Sequence, residues 1–575
     1  MSDKSRLTLK SRQEAQIDSK SRVLSLREVI AALALAAVVM CGLWLLTATG
    51  GAVGIARADD WSYLLTQFEF AESGRFVMNN WAVTMLIGQT LLAAPITAIF
   101  GLSIAALQGM VGVLSASALA ATYAVIRQVL PIGWSVFAVS TLVFSPVFGP
   151  SAVSFMTDVP ALFFMSLSLL VGIWAISGPR VQWNQLVLSG LLALIAFAFR
   201  DYAIVASVAV IVVGILAHRE RKTRGTLVGV MAVITLVALG LYTWRHSLTN
   251  DLSLSRWDIA YSVQLFTRGT LTVALFISPG LAAISWWQVK GSNLLKTLSL
   301  YVSAALIAGA TVLIAGFELL GNVVHPFGTT WLVGGSGIRM WPLWVNRGIV
   351  VAAFVSLTLV FALAWKVWVG RATKSEYLLA SQTWTRSNPA KAVVVVFPLL
   401  LLLTHSGATL VLGTWYIDRY FILVIPFLMA ALLRVALDRG LLVQGLQLSI
   451  PAVTLVVFAC IGIHVVDFNA RFDGARWAIG ENLTLQGYRP ESIDAGVEWV
   501  AFHALDIGQS PEQREYSSDR NWWVERYPDQ VFCVSVEARD SVSNDSSDSE
   551  SQLTVSTLFG REYSLVARPG PDSCP

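Results

Sequence analysis

The sequence predicts a polytopic α-helical membrane protein, with about thirteen transmembrane helices and a small α+β domain at its C-terminal end. Hydrophobic residues make up 55% of the chain and charged residues 13%, about half the ~25% charged content of an ordinary soluble domain. Apolar runs of ~20 residues recur along most of the length, each long enough to cross a ~30 Å hydrocarbon core as a helix. Charge is also partitioned: residues 1–466 carry a balance of +14 and residues 467–575 a balance of −10. The net +4 therefore hides a basic membrane body and an acidic tail. No zinc-finger, helix-turn-helix or RNA-binding signature accompanies it, so nucleic acid is not an expected partner.

Residues 1–28 are polar and hold seven basic residues, Lys4, Arg6, Lys10, Arg12, Lys20, Arg22 and Arg27. They precede an apolar stretch, 29–49, long enough to be retained as an anchor. A basic flank of this kind places the N-terminus in the cytoplasm. Further helices are expected near 103–127, 133–150, 158–177, 185–199, 201–217, 225–244, 269–288, 298–317, 345–366, 392–412, 420–436 and 448–466. With this count every lysine falls on the cytoplasmic side, as does the cluster His218–Arg224. External loops of the body then hold arginine as their basic residue and no lysine, for example Arg57, Arg200, Arg268, Arg339, Arg347 and Arg419. The transmembrane domain is expected over 29–466, with a long first external loop, 50–102. In that loop Trp61, Leu64, Leu65, Phe68 and Phe76 alternate with Gln67, Glu69, Glu72 and Arg75, which suits an interfacial helix. The run 81–100 is assigned as interfacial or re-entrant, because a full span there would invert everything after it.

The tail, 467–575, is expected to form an extracytoplasmic α+β domain. Its helix is expected over Ala470–Leu485 and its strands at Val531–Val536, Leu553–Phe559 and Tyr563–Ala567, with a solvated Ser/Asp/Glu loop over 541–551. Cys41 and Cys460 sit in apolar helices as small hydrophobes. Cys533 and Cys574 are the pair a disulfide would use in an oxidising compartment.

Chemistry-bearing candidates concentrate at the external rim. Asp59 and Asp60 lie just beyond the first span, where an uncompensated carboxylate costs free energy; a wet loop acid is the plainer reading. Neighbours on a helix diverge by ~100°, so the two are expected to divide roles. Asp59 is the reacting group, and Asp60 caps, pairs with an arginine or holds a metal. Asp158 opens the helix 158–177 on the same face, where it fits either an N-cap or a place beside Asp59. Arg200 suits bidentate phosphate binding or a structural pair with Asp158 or Asp201. Arg419, ringed by Tyr416, Tyr420 and Phe421, is a second external arginine, its tyrosines also explicable as interfacial anchors. His246 and His325 show no metal-ligand spacing. No Walker-type or dinucleotide motif points to an ATP-driven pump.

Taken in order, these segments resemble the GT-C membrane glycosyltransferases, in the family 39 branch of protein O-mannosyltransferases and aminoarabinose-transferase-like proteins. The resemblance is carried by Asp59-Asp60 with Tyr63, Gly74, the run Leu91–Phe100 with Gly101, Asp158-Val159-Pro160-Ala161, Arg419-Tyr420-Phe421 with Pro426, Ala475-Arg476-Trp477, and the stretch Arg489–Trp499. It implies a GT-C-like fold in the cell membrane. It also implies transfer of a sugar from a polyprenyl-phosphate donor to a lipid, glycan or protein acceptor on the extracytoplasmic face, with inversion. The family's catalytic base falls on Asp59 and its partner position on Asp60; the common Asp-Glu pair is Asp-Asp here, and only Ala94-Pro95 represents a "KPPL"-like segment. The departing phosphate then needs positive charge from an arginine or a bound divalent metal. Rival readings are a transporter or lipid flippase using rim carboxylates for ion coupling, and an assembly protein binding through its tail. Transporters usually place polar groups near the midplane of inverted repeats, and no repeat is evident here.

Overall fold

The computed structural model describes residues 24–78, 84–248, 258–284, 294–316, 318–321, 343–372, 388–412, 417–504, 533–540, 551–558 and 562–569. His325 and Arg339 lie outside them. The chain is a polytopic helical protein: seven described helices are long and apolar enough to cross a membrane, and five shorter apolar helices accompany them.

Helix α1 (Leu26–Thr49) starts on Ser25, whose hydroxyl accepts from the Glu28 N–H, and it leaves Leu35, Val38 and Leu45 exposed, as a lipid-facing helix does. Two helices follow in the first loop, α2 (Asp60–Ser73) and α3 (Ile87–Phe100). At 14 residues, α3 is shorter than the ~20 that a full span needs. The first two turns of α2, Asp60–Gln67, are buried on every side, so this part of the loop packs inside protein. Next come α4 (Ile104–Ile126), α5 (Ile132–Val143) and the short α6 (Phe148–Ala152), then α7 (Asp158–Ser177) and α8 (Trp183–Phe199). Small polar residues bind α7 to its neighbours. Ser168 and Ser189 each donate to the other's backbone carbonyl at 2.8 Å, and Thr122 meets Ser166 at 3.0 Å, satisfying hydroxyls where no water competes.

The remaining body comprises α9 (Val205–Ala217), α10 (Arg221–His246), α11 (Ile259–Phe276), α12 (Ser278–Ala282), α13 (Leu294–Ile314), α14 (Leu343–Ala372), α15 (Pro389–Leu412) and α16 (Ile425–Asp438). The span expected at 269–288 begins earlier, because Asp258 caps α11 by accepting from the Ala260 and Tyr261 N–H groups, and it breaks before Pro279. Arg268, expected in a loop, is therefore a helical residue, ion-paired with Glu318. At the end of the bundle where α1 starts, Glu28 takes Arg127 (2.7 Å) and the Tyr123 hydroxyl (2.9 Å), and Arg434 pairs with Asp438 and donates to the Val129 carbonyl.

Helix α17 runs unbroken from Ser449 to Leu485, 37 residues, so the expected junction at 466/467 falls within one helix. The helix continues past its apolar part because its polar residues find fixed partners. Asp467 accepts from Arg471 and from the Leu558 N–H at 2.7 Å each; Asp473 takes Arg57 at 3.1 Å and Arg476 at 3.0 Å; and Arg476 reaches Glu498 at 3.0 Å. Gly474 permits the close crossing over α1, since a Cβ there would meet the Gly51 carbonyl carbon at 2.7 Å. Beyond it lie β1 (Ile493–Asp494), α18 (Val497–Ala504), β2 (Val534–Asp540), β3 (Ser551–Ser556) and β4 (Glu562–Pro569). The sheet order is β1-β2-β4-β3, with β1 parallel to β2 and the other pairs antiparallel. The register Leu553↔Leu565 and the buried Tyr563 ring against Phe468 and Phe472 seat the sheet on α17. Cys533 is disulfide-bonded, and Cys41 and Cys460 are free; Cys574, its expected partner, lies outside the described residues.

The loop before α2 is fastened from both sides. Asp60, fully buried, accepts from the Arg57 N–H at 2.5 Å and from the Phe155 N–H at 3.0 Å. Arg57 in turn holds Asp473 on α17. Burial pushes the Asp60 carboxyl up to about 8, against the two N–H donors and the Arg57 charge that pull it down. Burial likewise raises Glu498 to about 7, with Arg476 opposing.

Two predictions follow from these buried charges. An acid with a raised folded pKa keeps its proton in the folded state after the unfolded chain has released it near pH ~4. Stability contributed by Asp60 is thus full below pH ~4 and falls as pH rises towards 8. Asp60→Asn is expected to flatten the decline of the melting temperature across that window, in part only, since Glu498 acts with the same sign; an unchanged slope would refute it. Arg476→Ala strands Glu498, Asp473 keeping Arg57, and is expected to cost about 3–5 kcal/mol, whereas Arg476→Met with Glu498→Leu costs less, as read by thermal denaturation of both variants.

Candidate functional site

Four distant segments bring their charged residues to one end of the bundle. Ala58 adopts a left-handed backbone, φ 49°, a strained state for a residue with a Cβ that is held only where its surroundings over-determine it. Arg57 and Asp60, pinned on either side, supply that restraint. The turn delivers the Asp59 carboxylate to Arg419, whose Nη2 lies 2.5 Å from Asp59 Oδ2. Arg419 sits in the 3-10 turn Asp418–Leu423 ahead of α16.

Beside this pair, Arg200 at the end of α8 contacts Asp158 at the start of α7 at 2.7 Å, with side-chain exposures of 2% and 0%. Such a pair is stable only as a pair, since either charge alone would be buried without compensation. The Tyr202 hydroxyl approaches Asp158 Oδ1 at 3.4 Å, and the Arg200 guanidinium lies 5.4 Å from the centre of the Tyr420 ring. His405 of α15 closes the wall: its ring centre is 4.5 Å from that of Tyr202, and it stacks on Tyr420 at 5.9 Å. Tyr63, one turn into α2 and buried, feels the charges of Arg200, Arg419, Asp59 and Asp158 together. Burial pushes its phenol up to about 12. Arg419 is raised above the ordinary arginine range: burial opposes its charge, and the Asp59 carboxylate outweighs that.

Asp59, Asp158, Arg200, Arg419 and Tyr63 are thus brought together. Asp60 is not: its oxygens turn to the Arg57 and Phe155 backbone. His246, on α10, contacts the Tyr242 ring. Tyr202 and His405, which the sequence does not single out, join the cluster, and so does Tyr420, for which the sequence leaves a place beside Arg419 and an interfacial anchor both open. A histidine inside an otherwise apolar helix was the available signal for His405.

The Asp59 side chain keeps 26% of its surface exposed, while its arginine partner and the Asp158–Arg200 pair are buried. The two arginines retain hydrogen-bonding capacity: Nε of Arg200 and Nε of Arg419 are buried with no partner. The site therefore offers one accessible carboxylate and two guanidinium groups with spare donors, walled by aromatic rings. Among the described residues no three His, Cys, Asp or Glu side chains are grouped to hold a metal ion. Asp59 and Asp158 are each already engaged by an arginine, so the donor set for a divalent cation is not assembled by these residues.

No protein-family model matches the chain, and no curated protein matches it. Among solved structures it is similar to ArnT from Cupriavidus metallidurans bound to undecaprenyl phosphate, at 14% identity and a TM-score of 0.38, over 96% of this chain and 100% of that one. The apo state of ArnT gives 14% and 0.35, over 95% and 99%. The archaeal oligosaccharyltransferase AglB from Archaeoglobus fulgidus, in complex with an inhibitory peptide and a dolichol-phosphate, gives 13% and 0.40, over 88% of this chain and 64% of that one. Likeness at these identities and TM-scores assigns neither substrate nor activity to this chain.

Proposed function

We propose that this chain is a GT-C-type membrane glycosyltransferase that moves a sugar from a polyprenyl-phosphate donor to an acceptor hydroxyl on the extracytoplasmic face. The observation that carries the reading is the meeting of Asp59 with Arg419 and of Asp158 with Arg200 at one end of the bundle, with spare N–H donors on both arginines.

In a sugar phosphate ester the polyprenyl phosphate leaves as a stable anion, so the reaction needs no general acid. It needs a carboxylate to take the acceptor's proton and positive charge to receive the phosphate. Asp59, the exposed member of the four, acts as the base. As the donor enters, its phosphate competes with Asp59 for Arg419 and takes the unpaired donors of Arg200 and Arg419. The acceptor oxygen, losing its proton to Asp59, attacks the anomeric carbon opposite the phosphate. The bond from that carbon to the phosphate oxygen breaks with its electron pair on the phosphate, and configuration inverts. Asp158 orients Arg200 and Tyr202. Asp60 contributes by fixing the backbone turn that carries Asp59. With the thirteen spans expected from the sequence, the basic segment 1–28 lies in the cytoplasm and the tail outside.

Asp59→Asn, reconstituted in proteoliposomes with polyprenyl-phosphate sugar, is expected to lower turnover by about 10²–10⁴-fold in protein that still inserts in the membrane, with a lowered melting temperature because the buried Arg419 loses its charged partner. Wild-type turnover would remove Asp59 as base. Arg419→Lys keeps the charge and loses the planar fork; it is expected to raise the donor KM more than it lowers kcat, and an unaltered KM would exclude Arg419 from phosphate binding.

A further inference from the structure

A neutral polar stripe with unmet hydrogen bonds lies beside the charged cluster. Gln67 on α2 and Gln89, Thr90 and Thr97 on α3 are all buried, with exposures of 0%, 0%, 1% and 6%. Gln67 Nε2 donates to Thr97 Oγ1 at 3.2 Å, joining the two helices. The other polar atoms are not so placed: Gln67 Oε1, both amide atoms of Gln89 and Thr90 Oγ1 have no partner. Folding leaves such groups unpaired only at a cost.

Two separate features put this stripe against the arginine–carboxylate cluster. Gln67 stands four residues after Tyr63, hence on the same face of α2, and Tyr63 is the residue that senses all four charges. In the loop just before α3 the Thr84 hydroxyl donates to the Phe199 carbonyl at 2.6 Å, and in the first turn of α3 Gly88 packs so closely that a Cβ would lie 2.8 Å from the Phe199 ring. Phe199 leads directly into Arg200.

The chemistry of the stripe differs from that of the cluster. A phosphate accepts hydrogen bonds only, and the arginines suit it; an isoprenoid needs none. Amide N–H, amide carbonyl and hydroxyl together suit a ligand whose groups each donate and accept, which is the character of sugar hydroxyls. We infer that Gln67, Gln89 and Thr90 form the subsite that hydrogen-bonds the glycosyl group of the donor and thereby selects the sugar. The inference rests on the glycosyl-transfer reading above. Admitting the sugar requires α2 and α3 to move apart, and the new hydrogen bonds offset that movement.

The test uses the full-length protein in nanodiscs, titrated with polyprenyl phosphate alone and with polyprenyl phosphates bearing mannose, glucose or arabinose. At least one sugar-bearing carrier is expected to bind the wild type more tightly than the bare carrier. Gln89→Met, which keeps volume and removes both amide atoms, should weaken that carrier about tenfold, the order of one net hydrogen bond, leave the bare carrier unchanged, and raise the melting temperature. Thr90→Val, nearly isosteric, is read the same way and serves if Gln89→Met does not fold. Equal binding of sugar-bearing carriers by wild type and variants overturns the subsite. So does a wild type that prefers no sugar-bearing carrier, or a variant that loses bare and sugar-bearing carriers alike. Failure of the wild type to bind even the bare carrier is the separate result that overturns the glycosyl-transfer reading itself.

Discussion

Arg200 and Asp158 meet at 2.7 Å with almost no exposed surface on either side chain, and much of the charged end follows from that contact. Neither ion can be left there alone, since an unpaired buried charge costs several kcal/mol. The end of α8 and the start of α7 are therefore held level with one another, the two helices being tied again by the reciprocal bonds of Ser168 and Ser189. With Arg200 fixed, Tyr420 lies under its guanidinium and Tyr202 stands beside Asp158. Tyr420 follows Arg419 in the chain, so the same contact sets where the second arginine meets Asp59.

The arrangement separates holding from reacting. Asp60 satisfies two backbone N–H groups, that of Arg57 3 residues before it and that of Phe155 95 residues after it, across the bundle. Arg57 reaches α17 through Asp473, and Arg476 passes the chain of charges on to Glu498 in the tail. The left-handed Ala58 is enclosed by these contacts. A carboxylate that must accept a proton needs a fixed position and some access to water; the buried neighbours supply the first, and Asp59 alone keeps the second.

The charged members of this site were legible in the sequence for a physical reason. An acid or arginine at the edge of an apolar run is costly enough to stand out, and Asp59, Asp158, Arg200 and Arg419 all break the pattern of their surroundings. Tyr202 was not legible in that way, since an aromatic near a membrane rim is more often an anchor, and His405, though it interrupts the apolar helix Pro389–Leu412, breaks the pattern less sharply than an acid or an arginine. The apolar periods marked most of the body helices, but not the early start of α11 at Ile259 nor the continuity of α17 across 466/467, because Asp467, Asp473 and Arg476 look like a solvated start to a new domain until their partners are seen. Which of Asp59 and Asp60 faces the cluster depends on the turn at Ala58, and an alanine carries no sign of a positive φ.

Charged and neutral polar groups in the same region carry opposite signatures. Asp158, fully buried in the cluster, has its arginine, and Asp60, fully buried beside it, has its N–H donors, as expected where desolvation dominates. The amide of Gln89 and the hydroxyl of Thr90 have nothing, although a leucine or valine in either place would pack without that loss. A fold tolerates the smaller penalty of neutral groups more readily than the larger one of ions, so capacity held open for a ligand is expected in uncharged side chains and in the spare N–H groups of already paired arginines. Both kinds of open capacity occur here, on either side of Tyr63, and their division matches a ligand that is anionic at one point and hydroxylated at the next.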